Sequence, residues 1–367
     1  DTDRSRGLGD VYKRQGIFSG IGMGGGTILI FLLTTFAGLE QHIAQATNLI
    51  YFIPTAISAI IVNYRNKNIN AKLAIYVSLC GIIGAIIGDI VGSFYESRYR
   101  NPKSTNIALF TEGSRFTDDT VMSLAVADWL LSGELLQKTM PDWGLKFPHR
   151  GYGGMFYKWL YINKAKEPYN SFGNGAGMRV SPCGYYATSI EEALDLAKQS
   201  AEVTHNHPEG IKGAEATAVA IYMAKTGSSM LEIRDYIDKN YYPMNFTLDE
   251  IRNTYKFNET CQDTVPQALQ AFFESIGFED AIRNAISIGG DSDTLAAICG
   301  GIAEAYYGIP TDIRKHALTF LDQKLMQLLI LFENKYPPVM EKKRNDVSVS
   351  IKRSADKKVK TGGRGSM

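Results

Sequence analysis

The amino-acid sequence predicts an all-α body, and three observations predict it. Alternating apolar and polar runs of the kind that strands need are scarce along all 367 residues. Apolar segments repeatedly follow hydroxyl or acidic residues, the chemistry that suits helix starts. Two longer segments, the alanine-rich Gly213 to Met223 and Leu295 to Tyr306, read as continuous helices.

The totals set limits before any motif is read. Lys and Arg number 39 against 38 Asp and Glu, so the chain as a whole offers no general attraction to nucleic acid. Charge is unevenly placed, however. Residues 341–367 hold nine Lys or Arg and three acids, which leaves the rest net acidic and reads as a basic disordered tail. Four scattered cysteines, Cys80, Cys183, Cys261 and Cys299, form no C-x-x-C pair; they suit a reducing compartment and no disulfide framework.

From the start, residues 1–15 form a polar leader without apolar periodicity, expected to be non-native. Gly16 to Gly38 is then 23 residues without a charge, and Ile43 to Tyr64 is another 22. Each reaches the roughly 20 apolar residues that span a bilayer, so residues 16–81 are expected to be a transmembrane-like helical segment. The Gly20–Thr27 stretch is glycine-rich but follows no strand, which argues against a dinucleotide site. A third apolar run, Leu73 to Gly88, has only 16 residues. If it opens a soluble helix, the positive-inside rule applied to Arg65, Lys67 and Lys72 keeps everything after it in the cytoplasm.

The body is expected over residues 82–340. Gly84, Gly88 and Gly92 recur every four residues, a stripe that reads as close helix packing. Asp89 and Glu96, seven apart, would share roughly one face of that helix. Asn101 to Arg115 reads as a polar loop, Val121 to Leu131 as a helix, and Met140-Pro141-Asp142-Trp143-Gly144 with Gly151 to Gly154 as turns. In Ser171-Phe172-Gly173-Asn174-Gly175-Ala176-Gly177-Met178-Arg179 the small residues would let backbone amides converge on an anion; the plainer reading is a flexible loop. Ser189 opens a helix to about Ala201, and Thr264 to Pro266 lead into another, Gln267 to Ser275. His205-x-His207 invites a zinc reading, but no neighbouring Cys or third His completes a set, so hydrogen-bonding roles are expected.

Two segments carry the chemistry. Gly289-Gly290-Asp291-Ser292-Asp293-Thr294 and Phe116-Thr117-Asp118-Asp119-Thr120 each place paired acids and hydroxyls at a helix start. Capping would explain one acid at each. Four aspartates with hydroxyl neighbours and no thiols form a hard oxygen donor set that suits Mg²⁺ or Mn²⁺ better than zinc. Converging acids repel unless cations lie between them, so a two-metal site is the economical account.

With these motifs in order, the segment from about Gly84 to Phe332 resembles the ADP-ribosylglycohydrolase family. The likeness rests on Gly84-Ala85-Ile86-Ile87-Gly88-Asp89-Ile90-Val91-Gly92-Ser93-Phe94-Tyr95-Glu96, Phe116 to Thr120, Ser171 to Arg179, Thr204-His205 and Gly289 to Thr294. The resemblance implies a compact orthogonal helical bundle holding two Mg²⁺ or Mn²⁺ ions. It implies Thr117, Asp118, Asp119, Asp291, Asp293 and Thr294 as metal-site residues, and Glu96 as the acid/base carboxylate. Ser171, Phe172, Gly173, Asn174, Gly175, Ala176, Gly177 and Met178 would cradle the diphosphate, with Phe172 near the adenine and His205 near the distal ribose. The implied reaction hydrolyses the glycosidic bond between ADP-ribose and a modified protein or small molecule. The alternative is a membrane-anchored ADP-ribose or nucleotide binder, or a transporter-fragment fusion, without turnover. Separately, the Gly22–Gly26 cluster, Ala44-Gln45-Ala46-Thr47-Asn48 and Tyr64-Arg65-Asn66 make residues 16–88 similar to the start of the sulfite-exporter-like TauE/SafE family, which implies membrane insertion there.

Because Gly81 to Gly88 fits either pattern, we expect that two unrelated coding segments were joined across it, naturally or during assembly. Sequencing one continuous DNA molecule through residues 60–110 checks this, and an intact reading frame there excludes assembly as the cause.

Overall fold

The computed structural model describes residues 82–96, 102–164 and 167–336, all of which fall in the second of the two units into which the chain divides, Ser78–Met367. Helix follows helix, and among the described residues no strand forms; Gly173 and Thr260 make only an isolated antiparallel bridge. The apolar runs between residues 16 and 81 and the basic tail lie outside the described residues. Among those described, no helix is long and apolar enough to cross a membrane.

Two helices form the centre. Helix α1, Ile83–Gly92, is buried at every residue. Helix α13, Ser292–Tyr307, is buried from Ser292 through Tyr306, and its buried Glu304 accepts from the Gly84 amide at 2.7 Å. They run antiparallel in direct backbone contact. A Cβ on Gly84 would lie 2.3 Å from the Gly300 carbonyl oxygen, on Gly88 1.9 Å from that of Ala296, and on Gly92 2.4 Å from that of Ser292. The glycine stripe is therefore helix packing, as the spacing suggests.

The remaining helices enclose this pair. Helix α2, Asp118–Ser132, begins on Thr117 and ends at Gly133 in the left-handed region. After α3, Leu136–Lys146, a one-turn helix α4, Gly154–Tyr157, continues as a π-turn through Ile162. Helices α5 (Gly175–Met178), α6 (Ser181–Tyr186) and α7 (Ile190–Glu202) follow. The alanine-rich α8 runs Pro208–Thr226, longer than the sequence suggests, because His207 caps its amides through Glu209 and Pro208 suits a first turn. Helices α9 (Met230–Asn240) and α10 (Leu248–Ile251) both start on capping boxes. Helices α11 (Val265–Phe273), α12 (Phe278–Ser287), α14 (Thr311–Leu318) and α15 (Gln323–Lys335) complete the body.

Two expectations are corrected. Met140–Gly144 is not a turn but the interior of α3, with Pro141 inside it. Pro141 forfeits a helical N–H bond, yet the buried Met140 and Trp143 anchor the segment, and the Trp143 indole donates to Asp128 at 2.8 Å. Tertiary burial outweighs the local breaker. Likewise Asp89 and Glu96 do not share a helix face, because α1 stops at Gly92 and Glu96 lies in the irregular chain beyond. The thiols of Cys183, Cys261 and Cys299 are buried and unpaired, as expected; Cys80 lies outside the described residues.

Gly88→Ala should reduce stability by about 2–3 kcal/mol, the upper range for overpacking against rigid backbone. Gly153→Ala, which meets nothing within 4 Å, should stay within about 0.5 kcal/mol of the parent in chemical denaturation.

Candidate active site

Three chain segments meet at one end of the central pair. Asp89, fully buried on α1, accepts from the Thr117 amide at 2.9 Å, the Thr117 hydroxyl at 2.6 Å and the Thr120 amide at 3.1 Å, with the Thr120 hydroxyl as a fourth donor. A distant carboxylate thus satisfies orphan amides at the start of α2. The Thr117 hydroxyl also accepts from the Asp119 amide at 3.3 Å. Asp291 sits at the N-cap of α13 but its side chain makes no cap bond. It accepts instead from the Asn174 side-chain amide at 2.7 Å. Capping therefore accounts for neither Asp118, Asp119 nor Asp291.

These segments open into a cleft of about 570 Å³ lined by Glu96, Asp118, Asp119, Asp291, Asp293 and Thr294. Carboxylate oxygens of Glu96, Asp291 and Asp293 lie within 4.8 Å of one another. One oxygen of Asp119, Oδ2, is buried without a hydrogen-bond partner. Burial raises Asp118, Asp119 and Asp293 well above the ordinary carboxylate value, and the charges of neighbouring acids add to the rise. Glu96 is raised too, first by burial and then by Asp291, although Arg115 opposes the shift. Burial raises Asp291, against the hydrogen bonds it accepts. Clustered acids with a buried, unsatisfied oxygen are a poor resting arrangement in the absence of cations. Hard oxygen donors in this density suit divalent ions such as Mg²⁺ or Mn²⁺.

The glycine-rich loop borders the same cleft. Gly173 N–H donates to the Ser171 hydroxyl at 3.1 Å, and the Asn174 amide donates to the Glu259 carbonyl at 2.7 Å. The Gly177 and Met178 amides turn back onto the Asn174 carbonyl. The loop is held by its own bonds, so it offers fewer free amides to an anion than its length implies. His205, nearly buried, places its ring against this loop: a Cβ on Gly175 would lie 3.1 Å from His205 Nε2.

The ADP-ribosylglycohydrolase family model matches residues 79–338. The chain belongs to the ADP-ribosylglycohydrolase family. It is 27 % identical over 308 residues to the human ADP-ribosylhydrolase ARH3, covering 62 % of this chain and 84 % of that protein. It is 24 % identical over 283 residues to the ADP-ribosylarginine hydrolase Tri1 of Pseudomonas putida (strain GB-1), covering 68 % of this chain and 76 % of that protein. A solved chain described as an ADP-ribosylglycohydrolase-related protein complex matches with a TM-score of 0.52 at 22 % identity, over 69 % of this chain and 95 % of its own, a likeness of fold. The sulfite exporter TauE/SafE family model also matches, over residues 16–102, most of which lie outside the described residues.

Of the residues the family resemblance singled out, the cleft brings together Glu96, Asp118, Asp119, Asp291, Asp293, Thr294, His205, Ser171 to Gly175 and Met178. Thr117, Ala176 and Gly177 do not line it. Thr117 is turned onto Asp89, and Gly177 packs toward Ile298 and Val265. The Phe172 ring is 45 % exposed at the rim, 5.3 Å from the His207 ring. Sequence reasoning missed Phe257, Glu259 and Thr260, which also line the cleft but carry no periodic or motif signal. It undervalued Asp89, whose role appears only when α1 meets α2.

The raised acids set a pH dependence. A carboxylate raised in the folded state contributes stability that is fully present below the unfolded value near about 4 and is lost as pH rises through its folded value. In EDTA, the melting temperature of the chain should therefore fall as pH rises above about 4, and Asp119→Asn should flatten that fall relative to the parent.

Proposed function

We propose that this chain is a divalent-cation-dependent hydrolase that cleaves the N- or O-glycosidic bond between ADP-ribose and a modified acceptor, either a protein or a small molecule. The observation that carries this reading is the meeting of Asp118 and Asp119 with Asp291, Asp293 and Glu96 in one cleft, although the two aspartate pairs lie far apart in sequence. The ADP-ribosylhydrolases among its relatives supply the substrate class.

The donor set fits a pair of Mg²⁺ or Mn²⁺ ions, on the ground of its oxygen chemistry and the unsatisfied Asp119 oxygen. Asp118, Asp119, Asp291, Asp293 and Thr294 are the residues that would hold them, while Thr117, bonded to Asp89 and to the Asp119 amide, fixes the start of α2 that carries two of them. Such ions, when bound, neutralise the acids and polarise hydroxyl groups of the substrate ribose.

The protein's own residues do the rest. The ordered loop from Ser171 to Met178 aligns the diphosphate, Phe172 offers an exposed aromatic face for the adenine, and His205 offers a ring nitrogen to the distal ribose. Holding the anomeric carbon in place removes much of the entropic part of the barrier. Water attacks that carbon as the bond to the acceptor breaks. A Glu96 carboxylate oxygen takes the water proton and returns one to the departing nitrogen or oxygen. The partly buried setting that raises Glu96 brings its proton affinity nearer to what both transfers need.

The test uses the full chain with peptides ADP-ribosylated on arginine or on serine. Free ADP-ribose should appear with Mg²⁺ or Mn²⁺ and vanish in EDTA. Asp291→Asn should reduce turnover by at least about 100-fold, and Glu96→Gln should lower kcat by about 10²–10⁴-fold while ADP-ribose still binds. Binding of ADP-ribose without release from any such substrate in saturating cation would overturn the reading in favour of a binding protein.

A further inference from the structure

Arg179 follows helix α5 and is 1 % exposed. Its guanidinium Nη2 donates to the Ser200 carbonyl at 2.9 Å and to the Thr204 hydroxyl at 2.8 Å. Among the described residues no carboxylate forms an ion pair with it, and its Nε is buried without a partner. Burial lowers its pKa to about 10, which still leaves it a cation at neutral pH. A buried charge answered only by neutral oxygens is costly. Arg179 also borders the cleft.

The next link decides what it does. Thr204 is fully buried, and its hydroxyl lies 2.7 Å from His205 Nδ1. A guanidinium can only donate, so Thr204 Oγ1 accepts from Arg179. Two neighbours could take the single hydroxyl proton, Nδ1 at 2.7 Å and the Tyr169 hydroxyl; because the phenol can itself donate to Thr204 Oγ1, the arrangement that pairs every group sends that proton to Nδ1. An imidazole that accepts at Nδ1 carries its proton at Nε2. That nitrogen faces the glycine loop, where a Cβ would lie 3.1 Å away at Gly175 and 3.4 Å away at Gly173, and His205 lines the cleft. Burial first, and the Arg179 charge second, hold the imidazole well below its ordinary pKa, so it stays neutral.

We propose that Arg179 and Thr204 are positioning residues that fix His205 as the neutral Nε2–H tautomer, a single N–H donor aimed at a hydroxyl or phosphate oxygen of the ligand. The assignment of that oxygen to ADP-ribose rests on the function proposed above; the tautomer does not. A neutral donor recognises an oxygen without adding a second positive charge beside Arg179. The glycines at 173 and 175 let the loop backbone approach the ring closely enough to keep it from turning over.

Long-range ¹H–¹⁵N correlation spectra of the ¹⁵N-histidine-labelled full chain, with His205 assigned by the loss of its signals in His205→Asn, should show protonated Nε2 and unprotonated Nδ1 at neutral pH. Thr204→Val, which keeps the volume but removes the relay, should give mixed tautomers and bind ADP-ribose about tenfold more weakly in calorimetry. Thr204→Ser should restore both. An Nδ1–H or doubly protonated ring in the parent would overturn the proposal, as would a Thr204→Val protein with parental affinity and an unchanged spectrum. If Thr204→Val does not fold, the parent spectrum and Thr204→Ser still decide. A parent with the expected tautomer but no affinity for ADP-ribose would leave the relay standing and remove the proposed substrate.

Discussion

The backbone contact between α1 and α13 is the constraint on which the rest depends. Gly84, Gly88 and Gly92 remove the Cβ atoms that would otherwise meet carbonyl oxygens at 1.9–2.4 Å. Because the two helices can touch, Asp89 near the end of one comes level with Asp291 and Asp293 at the start of the other. Asp89 then binds the Thr117 and Thr120 amides and draws in the start of α2. One close approach thus brings three helix termini to the same place. Without it, the acids would be surface caps on separate helices.

That arrangement stores a conflict. Folding energy from a wholly buried central pair is spent to press five carboxylates together, all of them pushed upward in pKa. Such a site is stable when protons or cations relieve the repulsion, so ligand occupancy and stability are linked. In this chain helix packing holds the four aspartates in register, while Glu96 arrives from irregular structure. The Arg179–Thr204–His205 relay follows the same logic where the glycine loop borders the cleft. A buried charge is tolerated because it orients a group that the cleft uses.

Much of the fold was legible in the chain because its signals are local. The hydroxyl starts at Thr117 and Ser189 mark where α2 and α7 begin, since capping depends on a few adjacent residues. The glycine period of four signals helix contact for the same reason. Where local and distant forces disagreed, the local reading failed. Pro141 marks a break by its own chemistry, but the buried Met140 and Trp143 keep α3 continuous. Glu96 fits the helical register of Asp89, yet the chain leaves the helix after Gly92 and delivers Glu96 to the cleft from irregular structure.

By itself, the sequence determined that the described body is helical, that acids and hydroxyls gather at two helix starts, and that the chain carries the motifs of its family. These follow from neighbouring residues, whose propensities and spacing need no fold to be read. Only the tertiary structure decided that the two starts share one cleft, that Asp291 answers Asn174 rather than its own helix, and which nitrogen of His205 faces the ligand space. Each of those depends on groups distant in sequence meeting at hydrogen-bond range, and no local pattern encodes that distance.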